Sequence, residues 1–352
     1  MARDTRRRQH RAGGGSDRDT DMSAQDDWRP SVSAQRLRQR AELLRRVREF
    51  FAARAVTEVD TPFLVNAPVS DVHLHSAMVR LDPQPAAGAP AAPLFLHTSP
   101  EYAMKRLLAA GSGDIYQLCH VVRGMERGRL HNPEFTLIEW YRIGFSLAQL
   151  MDEVEALVRA LLGAAAPRAS EHISYREAFL RELSLDPLTV PDAALAHAAQ
   201  SLALRSTAGA EDAVSRDEWL ELLMGTYLGP RLGRDRLTFV HGYPASQAAL
   251  ARLDPADPRV AQRFELYCAG IELANGFHEL AASAEQRARF ERDHARRRGL
   301  GLPVFPLDER LLAALPALPD CVGVALGFDR TLMLAVGAAR IEEVLPFPTE
   351  RA

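Results

Sequence analysis

Two arginines, a histidine and a phenylalanine sit in two well-separated blocks of this 352-residue chain. The first block, Cys119 to Tyr141 (CHVVRGMERGRLHNPEFTLIEWY), places Arg123 at the end of one apolar run and returns into another after a charged turn. The second, Gly323 to Arg330 (GVALGFDR), places Arg330 just beyond Gly327, where an apolar run gives way to a helical pattern. A guanidinium can hold two phosphate oxygens through its rigid fork, which the point charge of lysine does less well. His131 at a loop end can reach a terminal phosphate, and Phe135 can stack on a purine face. Arg330, at the mouth of a helix whose N-terminus favours anions, can cover the other face of the base or its phosphates. Arg123 alone would serve equally well as a surface residue of a hairpin. The combination can grip a bent nucleoside triphosphate.

A third block runs from Glu265 to Glu279 (ELYCAGIELANGFHE). Glu265 and Glu272 lie seven residues apart across an expected strand hairpin, so both carboxylates can face one cleft. Paired carboxylates near a triphosphate suggest magnesium, although a solvated sheet face can carry the same pair. Asn275, Gly276, Phe277, His278 and Glu279 are read as a turn that brings together amide, aromatic and carboxylate groups. Such groups suit a ligand with an ammonium on a hydrocarbon chain, and Glu101, which opens a helix after Ser99-Pro100, is a second carboxylate for an ammonium. Trp140 and Tyr141 read as core residues, but Tyr141 ends a cleft strand and can touch a ligand. His73 and His75 mimic a metal pair without a third ligand nearby, and Gly13 to Gly15 lack the strand, lysine and serine of a phosphate loop.

These groups need a scaffold. Leu37, Leu44, Val47, Phe50 and Phe51 recur at helical spacing and predict a helix from Ser33 to about Arg54. A short strand over 56–59 leads to Thr61-Pro62, where proline ends regular pairing. Residues 81–93 (LDPQPAAGAPAAP) read as a surface loop between strands. A helix opens at Ser99-Pro100-Glu101, followed by a buried strand over 115–122 and its antiparallel partner over 135–143. Residues 146–230 read as mainly helical, with breaks near 163–169 and 187–191. Strands are expected at 236–241, 261–267 and 270–276, a polar helix at 283–298, a strand at 322–326 and a helix at 329–336. Antiparallel strands interrupted by helices make the fold class α+β.

Bulk composition narrows the function. With 47% hydrophobic and 25% charged residues, the chain is an ordinary globular one. A net charge of −3 argues against a general nucleic-acid binder. Cys119, Cys268 and Cys321 are odd in number, far apart and without metal spacing, which points to reduced thiols and a cytoplasmic setting. No run of about 18 apolar residues predicts a membrane span. The Arg/Gly/Asp-rich residues 1–30 read as a disordered arm: no apolar stretch follows their arginines, and their acids do not suit a transit peptide. Of 43 basic side chains only Lys105 is lysine, an excess of arginine that reflects base composition.

These blocks resemble the class II aminoacyl-tRNA synthetases, specifically the lysyl branch. The helix and strand ending at Pro62 match motif 1 of that family, Arg123 to Tyr141 match motif 2, and Gly323 to Arg330 match motif 3. TSPEYAMKRLL, HNPEFTLIEWY and GIELANGFHEL carry the likeness, which covers roughly residues 33–352. Within the branch, the chain is most similar to shortened ligases that attach (R)-β-lysine to elongation factor P. Residues 31–352 would form the catalytic domain, with no anticodon-binding domain and no tRNA partner, since only the arm precedes motif 1 and 22 residues follow Arg330. Ala274 stands where lysyl-tRNA synthetases usually place glycine, and its methyl would favour an amino group moved one carbon along the substrate.

The resemblance also implies roles. Arg123 would bridge the ATP α-phosphate and the substrate carboxylate as an aminoacyl adenylate forms. Glu126, His131, Asn132, Phe135 and Arg330 would complete the ATP site, with Glu265 and Glu272 holding Mg2+. Glu101 and Glu279 would bind two ammonium groups, beside Tyr141, Asn275 and Phe277. Motif 2 usually carries an acid two residues after its arginine; this chain has Met125 there, and Glu126 would replace it. A homodimer through motif 1 is implied. An enzyme of lysyl-tRNA synthetase type acting on α-lysine and an inactive lysine-sensing paralogue are the alternatives.

Overall fold

The structure is a computed structural model that describes residues 28–81, 93–204 and 214–352. In chain order the elements are α1 (Ala34–Ala52), β1 (Thr57–Glu58), β2 (Leu64–Val65), β3 (Met78–Val79), β4 (Leu94–Leu96), α2 (Glu101–Ala109), β5 (Ile115–Val122), β6 (Glu134–Ile143) and α3 (Leu147–Leu162). There follow β7 (Ala169–Ser174), α4 (Tyr175–Leu183), α5 (Asp192–Ser201), α6 (Arg216–Leu223), β8 (Arg236–Pro244), β9 (Val260–Cys268), β10 (Ile271–His278), α7 (Ser283–Gly299), α8 (Glu309–Ala314), β11 (Cys321–Gly327) and α9 (Phe328–Ala335).

Eight strands form one sheet in the order β1-β5-β6-β11-β10-β9-β8-β7, with a small β2-β4-β3 sheet beside it. Its pairings are antiparallel except at the two edges, where β1 joins β5 and β7 joins β8 in parallel. The α+β expectation therefore holds. Helices α1, α3 and α9 cover one face of this sheet in a core that includes Val47, Phe51, Trp140, Val154, Leu266, Leu326 and Phe328. A second core gathers α4, α5 and α6 against β8 through Tyr175, Phe179, Trp219 and Val240. Among the described residues no helix is long and apolar enough to cross a membrane.

Several expectations shift. The buried stripe of α1 is Leu43, Val47 and Phe51, one residue per four, and Leu37 lies out in solvent at 40% exposure. Only the C-terminal half of α1 meets the core, so the apolar pattern overstates the buried length. β7 lies inside the region expected to be mainly helical; it ends where Ser174 and Glu177 form a capping box that starts α4. β10 extends through His278, so Asn275 to His278 continue a strand rather than make a turn, and Glu279 follows directly. The arm expected over 1–30 and the loop over 81–93 lie, but for their ends, outside the described residues; β3 and β4, which flank that loop, pair antiparallel.

Helix α1 and the two arginine-bearing blocks are tied together below the cleft. Asp329, 1% exposed at the start of α9, accepts the backbone N–H of Thr136 on β6 at 2.6 Å and pairs with Arg40 of α1. Arg40 also donates to the Thr136 hydroxyl at 2.6 Å. Replacing Asp329 by alanine leaves the buried Thr136 N–H without its partner and Arg40 without its carboxylate, so we expect a loss of about 3 kcal/mol in urea denaturation. A loss below about 1 kcal/mol would mean that this junction holds nothing.

Candidate active site

Alternation along three neighbouring strands builds the cleft floor. On β6, Phe135, Leu137, Glu139 and Tyr141 point to one face. Opposite them on β11 stand Gly327, Ala325 and Gly323, paired with Leu137, Glu139 and Tyr141. On β10, Asn275 pairs with Ala325 and Phe277 with Gly323. The small residues of β11 leave room between walls of functional side chains. At Gly323 a Cβ would fall 2.3 Å from Tyr141 Cε1 and 2.5 Å from Glu279 Oε1. Gly323→Ala should therefore raise KM for the substrate bound here by tenfold or more, by displacing both groups; an unchanged KM in steady-state assays would contradict this floor.

Two cavities open on this floor. One, of about 110 Å³, is lined by Arg123, Glu126, His131, Phe135, Glu272 and Arg330 among others. The other, of about 590 Å³, is lined by Glu101, Glu139, Tyr141, Arg263, Phe277 and Glu279 among others. Arg123, Asn275 and Ala325 line both, so the cavities meet at Arg123.

Arg123 follows β5 directly. Its backbone N–H donates to Pro133 O at 2.8 Å, closing the motif, and its Nε donates to Thr98 O at 3.2 Å. The guanidinium lies 5.2 Å from the Phe135 ring centroid and 3.7 Å from Glu126. Met125 adopts a left-handed φ of 70° and is 82% exposed. That backbone turn directs methionine outward and lets Glu126 line the cavity in its place.

Arg330, in the first turn of α9, donates to Glu272 O at 3.0 Å, Leu130 O at 3.3 Å and His131 Nε2 at 2.6 Å. A guanidinium can only donate, so Nε2 accepts and the His131 proton sits on Nδ1. Burial, then the charges of Arg330 and Arg123, push the His131 pKa down and keep the ring neutral.

Asn132 borders this cavity, but its amide is committed elsewhere. Its Nδ2 donates to Glu134 O at 2.6 Å, and its Oδ1 accepts from Thr349 N and Oγ1 at 3.1 and 3.2 Å. It lines the cavity as expected while its side chain fastens the C-terminal segment to the loop after Arg123.

Glu265 shares the cleft face with Asn275 yet lines neither cavity. Both its oxygens are held, one by Arg263 Nη2 at 2.5 Å and one by the Tyr267 hydroxyl at 2.6 Å. Glu272 does line the nucleotide-side cavity, 3.9 Å from Arg330. Burial and the adjacent Glu265 push its pKa up to about 7. A hard, oxygen-seeking divalent cation fits Glu272, where it would relieve that repulsion; Glu265 would have to leave Arg263 to join it. Among the described residues no group of three or more His, Cys, Asp or Glu is arranged to hold a metal ion by itself.

The larger cavity is acidic at its base. Glu101 and Glu279 flank the Lys105 ammonium at 2.5 and 2.6 Å. Glu139 accepts from Ser99 Oγ and from the Tyr141 hydroxyl, both at 2.7 Å. Burial pushes Glu139 up to about 7, with the charge of Glu101 adding to the rise. Burial likewise lifts Glu279 to about 8 against the pull of Lys105, with Glu101 and Glu139 adding to it. Asn275 Oδ1 accepts from Arg263 Nε at 3.2 Å.

Glu139 and Arg263 escaped the sequence reading, although alternation from Phe135 to Tyr141 passes through Glu139. Ala274 corrects that reading in the other direction. It pairs with Leu266 and Leu326 and is 2% exposed in the core, so its methyl faces away from the cleft. A bulge between Glu272 and Ala274 shifts the alternation and turns Asn275 to the side Glu272 occupies.

The description "tRNA synthetases class II (D, K and N)" belongs to a family model that matches residues 23–351. The chain is 51% identical over 328 residues to the elongation factor P–(R)-β-lysine ligase of Vibrio cholerae serotype O1, covering 93% of this chain and 99% of that protein. The ligase of the same name from Hamiltonella defensa is 49% identical over 333 residues, covering 94% and 100%. That from Proteus mirabilis is 48% identical with the same coverage.

Proposed function

The chain belongs to the class II tRNA synthetase family (D, K and N), alongside relatives that ligate (R)-β-lysine to elongation factor P, and from that premise we propose that it does the same at the expense of ATP. The observation that carries this reading is the meeting of the two cavities at Arg123: one side suits a nucleotide, the other a molecule with two ammonium groups.

In the first step a carboxylate oxygen of (R)-β-lysine attacks the α-phosphorus of ATP in line, and pyrophosphate leaves. Arg123 bridges the α-phosphate and the carboxylate, and it meets the negative charge that grows between them. Phe135 stacks on adenine, Glu126 reaches its amino group, and Arg330 with neutral His131 holds the far phosphates. Mg2+, when bound, neutralises phosphate charge there, and Glu272 is the carboxylate open to hold it, with Glu265 behind. Glu101, Glu139 and Glu279 take the two ammonium groups, Tyr141 and Phe277 wall the methylene chain, and Asn275 orients the substrate. In the second step the ε-amine of a lysine on elongation factor P attacks the acyl carbon, and AMP leaves.

The reading extends to the setting. A homodimer through motif 1 is supported by the exposed Leu37, Phe63 and Leu64, and sedimentation velocity would contradict it by finding a monomer. A cytoplasmic location is supported by three cysteines that remain free thiols; export of the tagged chain in cell fractionation would contradict it.

ATP–pyrophosphate exchange tests the first step. We expect exchange that depends on (R)-β-lysine and exceeds that with L-lysine; exchange with neither would refute adenylate formation. The pH dependence has a sign. Burial and mutual repulsion raise the pKa values of Glu139 and Glu279 in the empty site, and ammonium groups favour their ionised forms, so binding releases protons. KM for the diamino acid should therefore fall several-fold as pH rises from about 6.5 to 8.5, approaching tenfold per unit for each proton released. Calorimetry in buffers of different ionisation heat should register that release. A KM flat across this range would contradict the assignment of these carboxylates.

A further inference from the structure

Behind the wall of the larger cavity stands a charge that the reaction above does not use. Lys105 is 1% exposed and does not line the cavity; its Nζ lies 2.5 Å from Glu101 Oε1 and 2.6 Å from Glu279 Oε2. It is the only lysine among 43 basic residues. Wherever else this chain needs a cation, arginine serves. The exception falls where a planar guanidinium is ill suited: a gap between two buried carboxylates that calls for a compact point charge with donors in three directions.

We propose that Lys105 is a built-in counter-ion that sets how many ammonium groups the cavity accepts and fixes where the acids that receive them stand. The inference rests on the diamino-acid reading of the larger cavity. The groups facing this charge are Glu101 on α2, Glu279 just beyond β10, Glu139 on β6 and Cys321 on β11. Three carboxylates and one fixed ammonium leave two negative charges, which two substrate ammonium groups neutralise. Without the fixed charge three carboxylates would crowd one buried space, and ionising them all would be opposed by their repulsion and by desolvation. Lys105 also draws Glu101 and Glu279 together from different elements, so each keeps an oxygen turned to the cavity. It is thus a positioning residue: it acts through the carboxylates and need not touch substrate.

Direct binding separates this inference from the ligase reaction. Calorimetric titration of (R)-β-lysine and of L-lysine into wild type, Lys105→Met and Lys105→Ala needs no turnover. We expect Lys105→Met to bind at least about tenfold more weakly at pH 7, with the deficit shrinking as pH rises to 9 and the crowded carboxylates ionise. In Lys105→Ala, n-propylammonium, the missing fragment of the side chain, should restore affinity, and 1-propanol, equal in shape but neutral, should not. A deficit that stays constant with pH, or equal rescue by the alcohol, would make Lys105 a packing residue and overturn the proposal. Equal affinity of Lys105→Met and wild type would overturn it too. Failure of wild type to bind either diamino acid would refute the cavity assignment and this inference together, whereas binding without pyrophosphate exchange would refute only the ligase reading. Should Lys105→Ala not fold, Lys105→Met with its pH series decides.

Discussion

Replacing Arg123 by alanine should lower kcat/KM for pyrophosphate exchange by about three orders of magnitude or more, the range found for groups that meet charge only in a transition state. The geometry explains the size. One edge of the guanidinium is anchored by Thr98 O and one face lies over Phe135, which leaves Nη1 and Nη2 at the place where the two cavities join. Arg123→Lys keeps the charge but loses the fork, so it should recover only a small part of the rate. Arg123 is one-quarter exposed and its Nε hydrogen bond to Thr98 O is the anchor it would lose, so the variant's denaturation midpoint should fall only slightly. A loss below about tenfold would mean that the α-phosphate lies elsewhere.

The second large effect belongs to Glu279. Glu279→Gln keeps the shape but removes a carboxylate that faces both Lys105 and the larger cavity. Truncating one member of a buried charge pair costs about 2–5 kcal/mol, so KM for (R)-β-lysine should rise about a hundredfold or more with a smaller change in kcat. That split separates it from Arg123→Ala, whose effect falls on kcat. Steady-state exchange kinetics at saturating ATP check both. A KM within a few-fold of wild type would remove Glu279 from the substrate site.

The elements around these residues were legible because their signals are local. β5 and β6 carry continuous apolar runs on either side of a charged turn, and the structure places them at Ile115–Val122 and Glu134–Ile143. Arg123, His131, Phe135 and Arg330 could be singled out because each stands at the end of such a run. What escaped depends on partners distant in sequence. β7 is an edge strand whose partner β8 begins more than sixty residues later, so its own six residues carry little evidence of pairing. Ala274 was assigned to the cleft from the family resemblance, and a bulge after Glu272 turns it into the core instead. Glu265 faces the cleft as expected, and both its oxygens are taken by its i−2 and i+2 neighbours Arg263 and Tyr267, a pairing that alternation alone does not announce. Gly276 shows the reverse: a Cβ there would lie 2.4 Å from the Phe264 ring, a packing demand set by the adjacent strand. The methyl of Ala274, turned into the core, does not reach the cleft face.

Intact-mass spectrometry of elongation factor P tests the central claim most directly. The acceptor would be incubated with the protein, ATP, Mg2+ and either (R)-β-lysine or L-lysine, beside a parallel reaction that supplies lysine tRNA. The account predicts one added lysyl mass on elongation factor P, formed faster with (R)-β-lysine and lost when the acceptor lysine is replaced. An unmodified acceptor together with charged lysine tRNA would contradict it.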